Sequence, residues 1–477
     1  MTSTANTSTP TRQVDRRWLV LGVLAVAQFM VFLDETVVNV ALPSIKDDLG
    51  FSQPTLAWVV NAYILMFGGL VLLGGRVADL FGRRRMFLIG TALFGFASLL
   101  DGLAPTQGAL LAARAAQGVG AALATPAALA LVTSVFPAGD ERAKALGIWG
   151  ALSGLGFAIG ILLGGVITDV ASWRWVFLIN VPVAAATLAV VPRLVADSRA
   201  STRRGFDLAG AATVTAGTTA LVYTLIETSK YGWRSVETHA GVGAAIVLLV
   251  AFALIERRSE SPLIPTGFLH RRATLVPNLL QQLLGASLIS AFFLLTLYLQ
   301  KVLGYTPLQA GFAYVPLAAA VAAATGVANK LVVRVGPRLL AAAGLGIASI
   351  GLMRLGRAPV DGKYVADVLP SLVTLGFGAG LSFVSITTAA LARVDEEAAG
   401  LASGLLSTSV QIGGALGIAI LVSVLTTRSG NLVSSGSAPL AAEVGGLQLA
   451  FLIAAGVAQA ASLLAGFGLK KTRKAAA

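Results

Sequence analysis

The chain has 477 residues, of which 56% are hydrophobic and 12% charged, with 35 Lys and Arg against 22 Asp and Glu and a mean hydropathy of +0.82. An average soluble domain is about 25% charged, so water is not the solvent for most of this surface. With no cysteine and two histidines, disulfide frameworks, thiolate nucleophiles and Cys- or His-rich metal sites are excluded, and neither a metal nor a cofactor is expected.

The net charge of +13 would suit nucleic acid only if the basic residues were gathered on one solvated face. They are scattered between apolar runs, so no nucleic-acid partner is expected. Residues 1–17 are polar and read as a disordered cytoplasmic segment. The first apolar run exceeds the roughly 7–15 residues of a secretory h-region, so it reads as a retained helix.

Runs long enough to cross a hydrocarbon core about 30 Å thick follow at Trp18–Val40, Leu56–Leu73, Met86–Leu103, Ala109–Phe136, Ala145–Ile167 and Val176–Val191. Two weaker runs, Leu208–Ile226 and Ala240–Ile255, flank the polar stretch ETSKYGWRSVETH. Six more follow at Leu275–Leu299, Leu308–Val333, Leu339–Leu355, Asp367–Leu391, Ser403–Leu425 and Leu447–Leu469. The fold class is therefore all-α and integral to a membrane, with about fourteen transmembrane helices.

Lys and Arg in short loops are retained on the cytoplasmic side. With the N-terminus inside, most of the 35 basic residues fall there, among them Arg83, Arg84, Arg85, Arg203, Arg204, Arg257, Arg258, Arg271, Arg272 and the KKTRK tail. The Arg203/Arg204 and Arg257/Arg258 clusters share that side only if an even number of crossings separates them. The expected organisation is a six-helix bundle over 18–205, two linker helices over 206–260, a second six-helix bundle over 261–470 and a basic cytoplasmic tail at 471–477.

The loop after the second run reads GGRVADLFGRRR, and its worn counterpart in the second half reads GVANKLVVRVGPR, with Gly326, Asn329, Arg334 and Gly336. Parallel halves of this kind serve alternating access. Gly75 and Gly82 are expected to permit a tight turn, and Asp79 to pair with nearby Arg and sit against a helix terminus. Topogenic charge alone is the competing reading of this loop.

Asp34 and Glu35 stand well inside an apolar run, where a charged Asp costs about 2.5–3.5 kcal/mol on insertion scales. Buried carboxyls can hold or release a proton as water access changes, and adjacent ones influence each other. Successive helical residues point about 100° apart, so one acid can face a cavity and the other a neighbouring helix. The alternative is an acid hydrogen-bonded between helices for packing alone. Arg114, the lone basic residue inside a first-half span, needs a partner because a guanidinium keeps its proton; snorkelling to an interface is the competing reading.

Gly156, Gly160 and Gly164 repeat every four residues, with Gly150 and Gly154 on an adjoining stripe, Gly165 beside them, and Gly413, Gly414 and Gly417 in the second half. Small faces let membrane helices pack backbone to backbone. Polar or aromatic residues in or beside spans, namely Asn39, Asn61, Tyr63, Gln117, Gln281, Gln282, Tyr298, Tyr314 and Gln411, are candidates for a substrate cavity, and each could equally serve packing.

GGRVADLFGRRR resembles the signature cytoplasmic loop of the major facilitator superfamily, and LDETVVNVALP resembles helix one of its fourteen-helix drug:proton antiporter branch. RAAQGVGAALATPA resembles that branch's helix-four motif, GALSGLGFAIGILLGG its helix-five antiporter motif and WRWVFLINVP its helix-six start. ERRSESPLIP, YLQKVLGYTPLQAG and GLASGLLSTSVQIGGALG extend the likeness across essentially the whole chain. Ile161 stands where the helix-five motif usually has proline, and Glu35 where many relatives have a small or uncharged residue.

The resemblance implies two six-helix bundles with two inserted helices and proton coupling through Asp34, Glu35 and Arg114. It further implies a gating loop at Gly75, Asp79, Gly82, Arg83 and Arg84 and an occluding helix-five face at Gly156, Gly160, Gly164 and Gly165. The function implied is export of a small, lipophilic organic compound across the bacterial inner membrane, driven by the proton gradient, by a monomer with both termini cytoplasmic. Export of one endogenous metabolite and proton-coupled uptake are alternatives. ATP-driven transport is disfavoured because no GxxxxGK[ST] loop occurs, and a membrane enzyme because His239 and His270 sit in expected loops with no convergent catalytic set.

Overall fold

In hydrocarbon every backbone N–H and C=O must be satisfied within its own segment, which leaves helices as the natural spanning element for these apolar runs. The computed structural model describes residues 11–136, 139–195, 207–259, 262–264, 272–392, 394 and 399–469, and among these it contains helices and no strand. Of the segment 1–17 expected to be disordered, residues 1–10 lie outside the described residues, as do Arg203, Arg204, His270, Arg271 and the 471–477 tail, while residues 11–17 are helical, the first turns of the long helix that carries the first span.

The first half comprises α1 (Thr11–Leu49), α2 (Gln53–Phe81), α3 (Arg83–Gly102), α4 (Gln107–Val135), α5 (Asp140–Val170), α6 (Trp173–Leu178) and α7 (Asn180–Leu194). Then come α8 (Leu208–Tyr231) and α9 (Val236–Arg258). The second half comprises α10 (Arg272–Leu297), α11 (Pro307–Ala313), α12 (Val315–Val335), α13 (Pro337–Leu355), α14 (Leu369–Leu391), α15 (Ala399–Ser434) and α16 (Pro439–Gly468). Short π turns at Tyr298–Val302 and Tyr364–Val368 extend α10 and precede α14.

Thirteen spans among the described residues are long and apolar enough to cross a membrane. The remaining expected span, Ala145–Ile167, lies in α5, which is 31 residues long and so about 46 Å at 1.5 Å per residue. Helices start where side chains satisfy their orphan N–H groups. Ser52, Thr106, Ser172, Asp207, Ser235 and Thr306 accept from the backbone two or three residues on.

The two halves repeat one packing scheme. α1 packs on α5 as α10 packs on α15; α4 lies against α2 and α3 as α14 lies against α12 and α13; α3 meets α7 as α13 meets α16. The pair α8 and α9 leans on α2 and α15, at the seam. There Glu256 of α9 accepts from the backbone N–H of Leu263 and Ile264 at 3.0 and 3.1 Å, holding that strap over Ala211 and Leu405.

Three local expectations need correction. The loop after the second run is shorter than the sequence suggests, because α2 continues to Phe81 and only Gly82 turns, with φ +106°. Gly75 is thus a helical residue, 3.6 Å from Pro126 if given a Cβ, while Gly74 is the one pressed against the Ala122 carbonyl. In the second half Gly326 is likewise helical, and the turn falls on Gly336 with φ +87°. Both turns sit in the left-handed region that favours glycine. Two expected spans also bend: Val176–Val191 breaks at Ile179, and Leu308–Val333 breaks at Tyr314 before Pro316.

Candidate functional site

Asp34 of α1 and Arg114 of α4 meet in the core of the first half, 0% and 1% exposed. Arg114 Nη1 donates to Asp34 Oδ2 at 2.7 Å and also to Gln117 Oε1, while Nε donates to the Val59 carbonyl of α2 at 3.0 Å. The guanidinium lies over the Tyr63 ring at 4.5 Å and near the Phe177 ring at 5.5 Å, a cation–π arrangement strengthened where water is excluded. Snorkelling is ruled out for Arg114, since it points into the bundle.

The second oxygen of Asp34 is as well supplied. Gln117 Nε2 and Asn180 Nδ2 donate to Asp34 Oδ1 at 2.9 and 2.8 Å. The same two amides donate to Ser98 Oγ at 3.1 and 3.0 Å, and Ser98 donates to the Phe177 carbonyl at 2.9 Å. The cluster therefore joins α1, α2, α3, α4, α6 and α7. Such a pair gains little net stability from its charges, because desolvation offsets their attraction, yet removing one partner strands the other.

Glu35, the next residue, faces elsewhere. Its Oε1 accepts from Gln411 Nε2 of α15 at 3.0 Å, across the seam between halves. Asn39, one turn on, donates to the Glu35 carbonyl at 3.1 Å. The adjacent acids thus split between the interior of one half and the junction with the other, as their 100° offset allows.

Behind them the glycine face of α5 seats α1. A Cβ at Gly156 would reach Phe32, at Gly160 the Thr36 hydroxyl, and at Gly164 the Val37 carbonyl. Gly165 instead faces the second half, against Pro307, Leu308 and Gly311. In the second half Gly413 and Gly417 seat Gln282 and Ala286 of α10, and Gly414 meets Ile289. The packing surroundings of Gly150 and Gly154 lie outside the described residues. At the turn, Asp79 Oδ1 accepts from Arg83 Nε and Nη2 at 3.0 and 2.9 Å, and Arg84 Nη1 donates to the Val195 carbonyl at the end of α7, 3.0 Å away.

The remaining cavity candidates divide. Tyr298 donates to the Pro359 carbonyl at 2.7 Å, and Tyr314 bonds Thr296 and donates to the Phe292 carbonyl, so both serve packing. Asn61 and Tyr63 are buried, with both amide atoms of Asn61 and the Tyr63 hydroxyl lacking hydrogen bonds, and Gln281 Oε1 is likewise unbonded. Gln282 lines a cavity of about 140 Å³ at the seam, with Gly69, Leu72, Phe252, Leu263 and Leu405. Among the described residues no group of three or more His, Cys, Asp or Glu is placed to hold a metal ion.

Sequence reasoning missed Ser98, Asp101 and Asn180. Asn180 sits in the WRWVFLINVP stretch and Ser98 and Asp101 in an apolar run; their polarity there was the available signal.

Comparison with known proteins gives a consistent picture. The Major Facilitator Superfamily model matches residues 24–418. The puromycin resistance protein pur8 of Streptomyces alboniger is 41% identical, over 94% of this chain and 91% of its own. The cephamycin export protein CmcT of Amycolatopsis lactamdurans is 40% identical, over 88% and 86%, and the multidrug resistance protein Stp of Mycobacterium tuberculosis (strain CDC 1551 / Oshkosh) 38%, over 83% and 74%. In fold, the chain matches a bacterial homologue of the human lysosomal transporter Spinster, in an inward-facing and unoccupied conformation, with a TM-score of 0.69 at 18% identity over 97% and 98% of the two chains. The POT family transporter PepTSo matches with a TM-score of 0.70 at 14% identity, over the same shares.

Proposed function

The chain belongs to the major facilitator superfamily, and we propose that it exports a small organic compound of the drug or antibiotic type in exchange for protons. It is a multi-pass membrane protein. Its relatives named for puromycin, cephamycin and multidrug resistance support the export reading. The observation that carries proton exchange is the fully buried Asp34–Arg114 pair, a neutralisable acid held against a cation that cannot give up its proton.

The mechanism follows from the bonds. With Asp34 ionised, the cluster holds α1 to α4 and α7. A proton on Asp34 removes the charge that Arg114 Nη1 and both amides address, leaving Arg114 its Val59 carbonyl and Gln117 contacts. α1 is then free to move on its glycine seat in α5, and Glu35 carries that movement to Gln411 in the second half. Binding of substrate in one arrangement and of the proton in the other exchanges the two by alternating access.

Polar contacts between the halves gather at the Leu49 end of α1: Gln300 donates to the Val40 carbonyl at 2.8 Å and Lys301 to Gln53 at 3.0 Å. The Lys and Arg of the short loops support that end lying outside and both termini in the cytoplasm, and the bacterial relatives support the inner membrane. The protein works as a monomer on a lipophilic substrate, with the proton gradient as its source of energy and no cofactor.

A narrower reading, dedicated export of one compound, is favoured by relatives each named for a single antibiotic. Energised inverted vesicles loaded with a pH dye test the proposal. A panel of lipophilic antibiotics should trigger substrate-dependent proton release, absent in Asp34→Asn; accumulation without proton movement, unchanged in the variant, would refute the exchange, and response to one compound alone would select the narrower reading.

A further inference from the structure

Asp101 lies in the last turn of α3, 0% exposed, and neither carboxyl oxygen has a hydrogen-bond partner. Helices α3 and α4 run antiparallel, and Ser98 of one is bonded to Gln117 of the other. One turn forward on α3 is Asp101 and one turn back on α4 is Arg114, so the register that joins Ser98 to Gln117 sets Asp101 beside Arg114. The two groups interact electrostatically without a direct bond. Arg114 spends Nε and Nη1 on Val59, Asp34 and Gln117.

A bare carboxylate sealed from water with no donor is costly, whereas its neutral acid is much less so. The charged and titratable neighbours are few: Arg114 on α4, Asp34 on α1 and Tyr63 on α2. On α6 Arg174 is committed to Asp48 and the Ala104 carbonyl, and the charged group of α7, Arg193, lies at its far end and donates to the Ala189 carbonyl.

Building on the proton-exchange reading, we propose that Asp101 is a second proton-carrying residue, protonated while Asp34 pairs with Arg114 and ionised when Asp34 is protonated. The guanidinium needs one carboxylate; Asp34 is bonded to it, and Asp101 interacts with it without a bond. When Asp34 gains a proton from water its pair with Arg114 opens, the movement of α1 that follows admits water to Asp101, which gives up its carboxyl proton to that water, and the resulting carboxylate takes over the guanidinium. One proton is bound and one released, and Arg114 stays charged throughout. Reversal reloads Asp101 and empties Asp34, so the cluster never holds an unpaired cation.

Infrared spectroscopy of the purified full chain in liposomes tests this through the carboxylic C=O stretch at neutral pH. A protonated-carboxyl band should be present in the wild type and lost in Asp101→Asn. It should also be lost in Asp34→Asn, which imitates protonated Asp34 and obliges Asp101 to ionise, and should return in Asp34→Asn/Arg114→Gln. If Asp101→Asn does not fold, Asp101→Leu serves the same assignment. A spectrum that neither Asp101 variant changes, or an Asp101 band that Asp34→Asn leaves in place, overturns the proposal. Failure of proton exchange itself would be read separately, as absent substrate-driven proton release in wild-type vesicles.

Discussion

Glu35 and Gln411 form a hydrogen bond of 3.0 Å between α1 and α15, one residue away from the Asp34 carboxylate. It ties the switching helix of one half to the other half. A side-chain hydrogen bond contributes about 0.5–1.5 kcal/mol, and about 1.4 kcal/mol is tenfold in population. Gln411→Ala should therefore shift the equilibrium away from this arrangement by up to about tenfold, while Glu35→Gln, which can still accept from Gln411, should shift it far less. The absence of native cysteine allows spin labels at exposed Asp47 and Asp361, each changed to Cys; equal distance distributions in wild type and Gln411→Ala would contradict the assignment.

Gly82 and Asp79 separate shape from charge at the turn between α2 and α3. Gly82 sits at φ +106°, where a side chain costs about 1–3 kcal/mol, so Gly82→Ala should lower the melting temperature. The Asp79–Arg83 pair is partly exposed and contributes at most about 1 kcal/mol. Asp79→Asn should melt within a few degrees of wild type yet slow export several-fold if the pair steadies the turn during exchange; wild-type flux would reduce the pair to a topogenic charge.

What the sequence made legible follows from how sharply each feature violates its surroundings. The apolar runs gave the helices, and Asp34 and Arg114 stood out because a charge in hydrocarbon demands a partner. Asn180 and Ser98 did not stand out, since small polar residues occur in many spans, and only the register of α3, α4 and α7 brings Asn180 onto Asp34 and Ser98 onto Asn180 and Gln117. Asp101 was hidden by its place near a helix end. Gly75 misled because spacing cannot distinguish a glycine that turns a chain from one inside a helix; Gly82 alone has the positive φ. Tyr298 and Tyr314 looked available for a ligand because their carbonyl partners, Pro359 and Phe292, are fixed by tertiary packing.

The α5 face makes a steric prediction. A Cβ at Gly164 would press on the Val37 carbonyl at 2.6 Å, backbone that cannot step aside cheaply, whereas one at Gly456 in α16 would meet nothing within 4 Å. Overpacking typically costs about 1–3 kcal/mol, and replacing a helical glycine with alanine where space allows gains about 0.5–1 kcal/mol. Thermal melts in detergent should show Gly164→Ala below wild type and Gly456→Ala at or above it. Equal melts would mean that α1 is not seated on this face.

The buried pair itself predicts a pattern across a double-mutant cycle. Arg114→Gln leaves the Asp34 carboxylate with two amide donors and no cation, and breaking a buried pair from one side costs about 3–5 kcal/mol; Asp34→Asn should cost less, because Asp101 can ionise against the guanidinium. The double variant removes both charges and keeps hydrogen-bonding groups of similar size, so its melting temperature should exceed that of Arg114→Gln. Arg114→Lys tests shape rather than charge. An ammonium cannot present separate donors to Val59 and Asp34 while stacking on Tyr63, so Arg114→Lys should melt below wild type and fail in proton-driven export. Full export by Arg114→Lys would mean that the positive charge alone suffices. Additive losses across the cycle would mean that Asp34 and Arg114 do not depend on each other for stability.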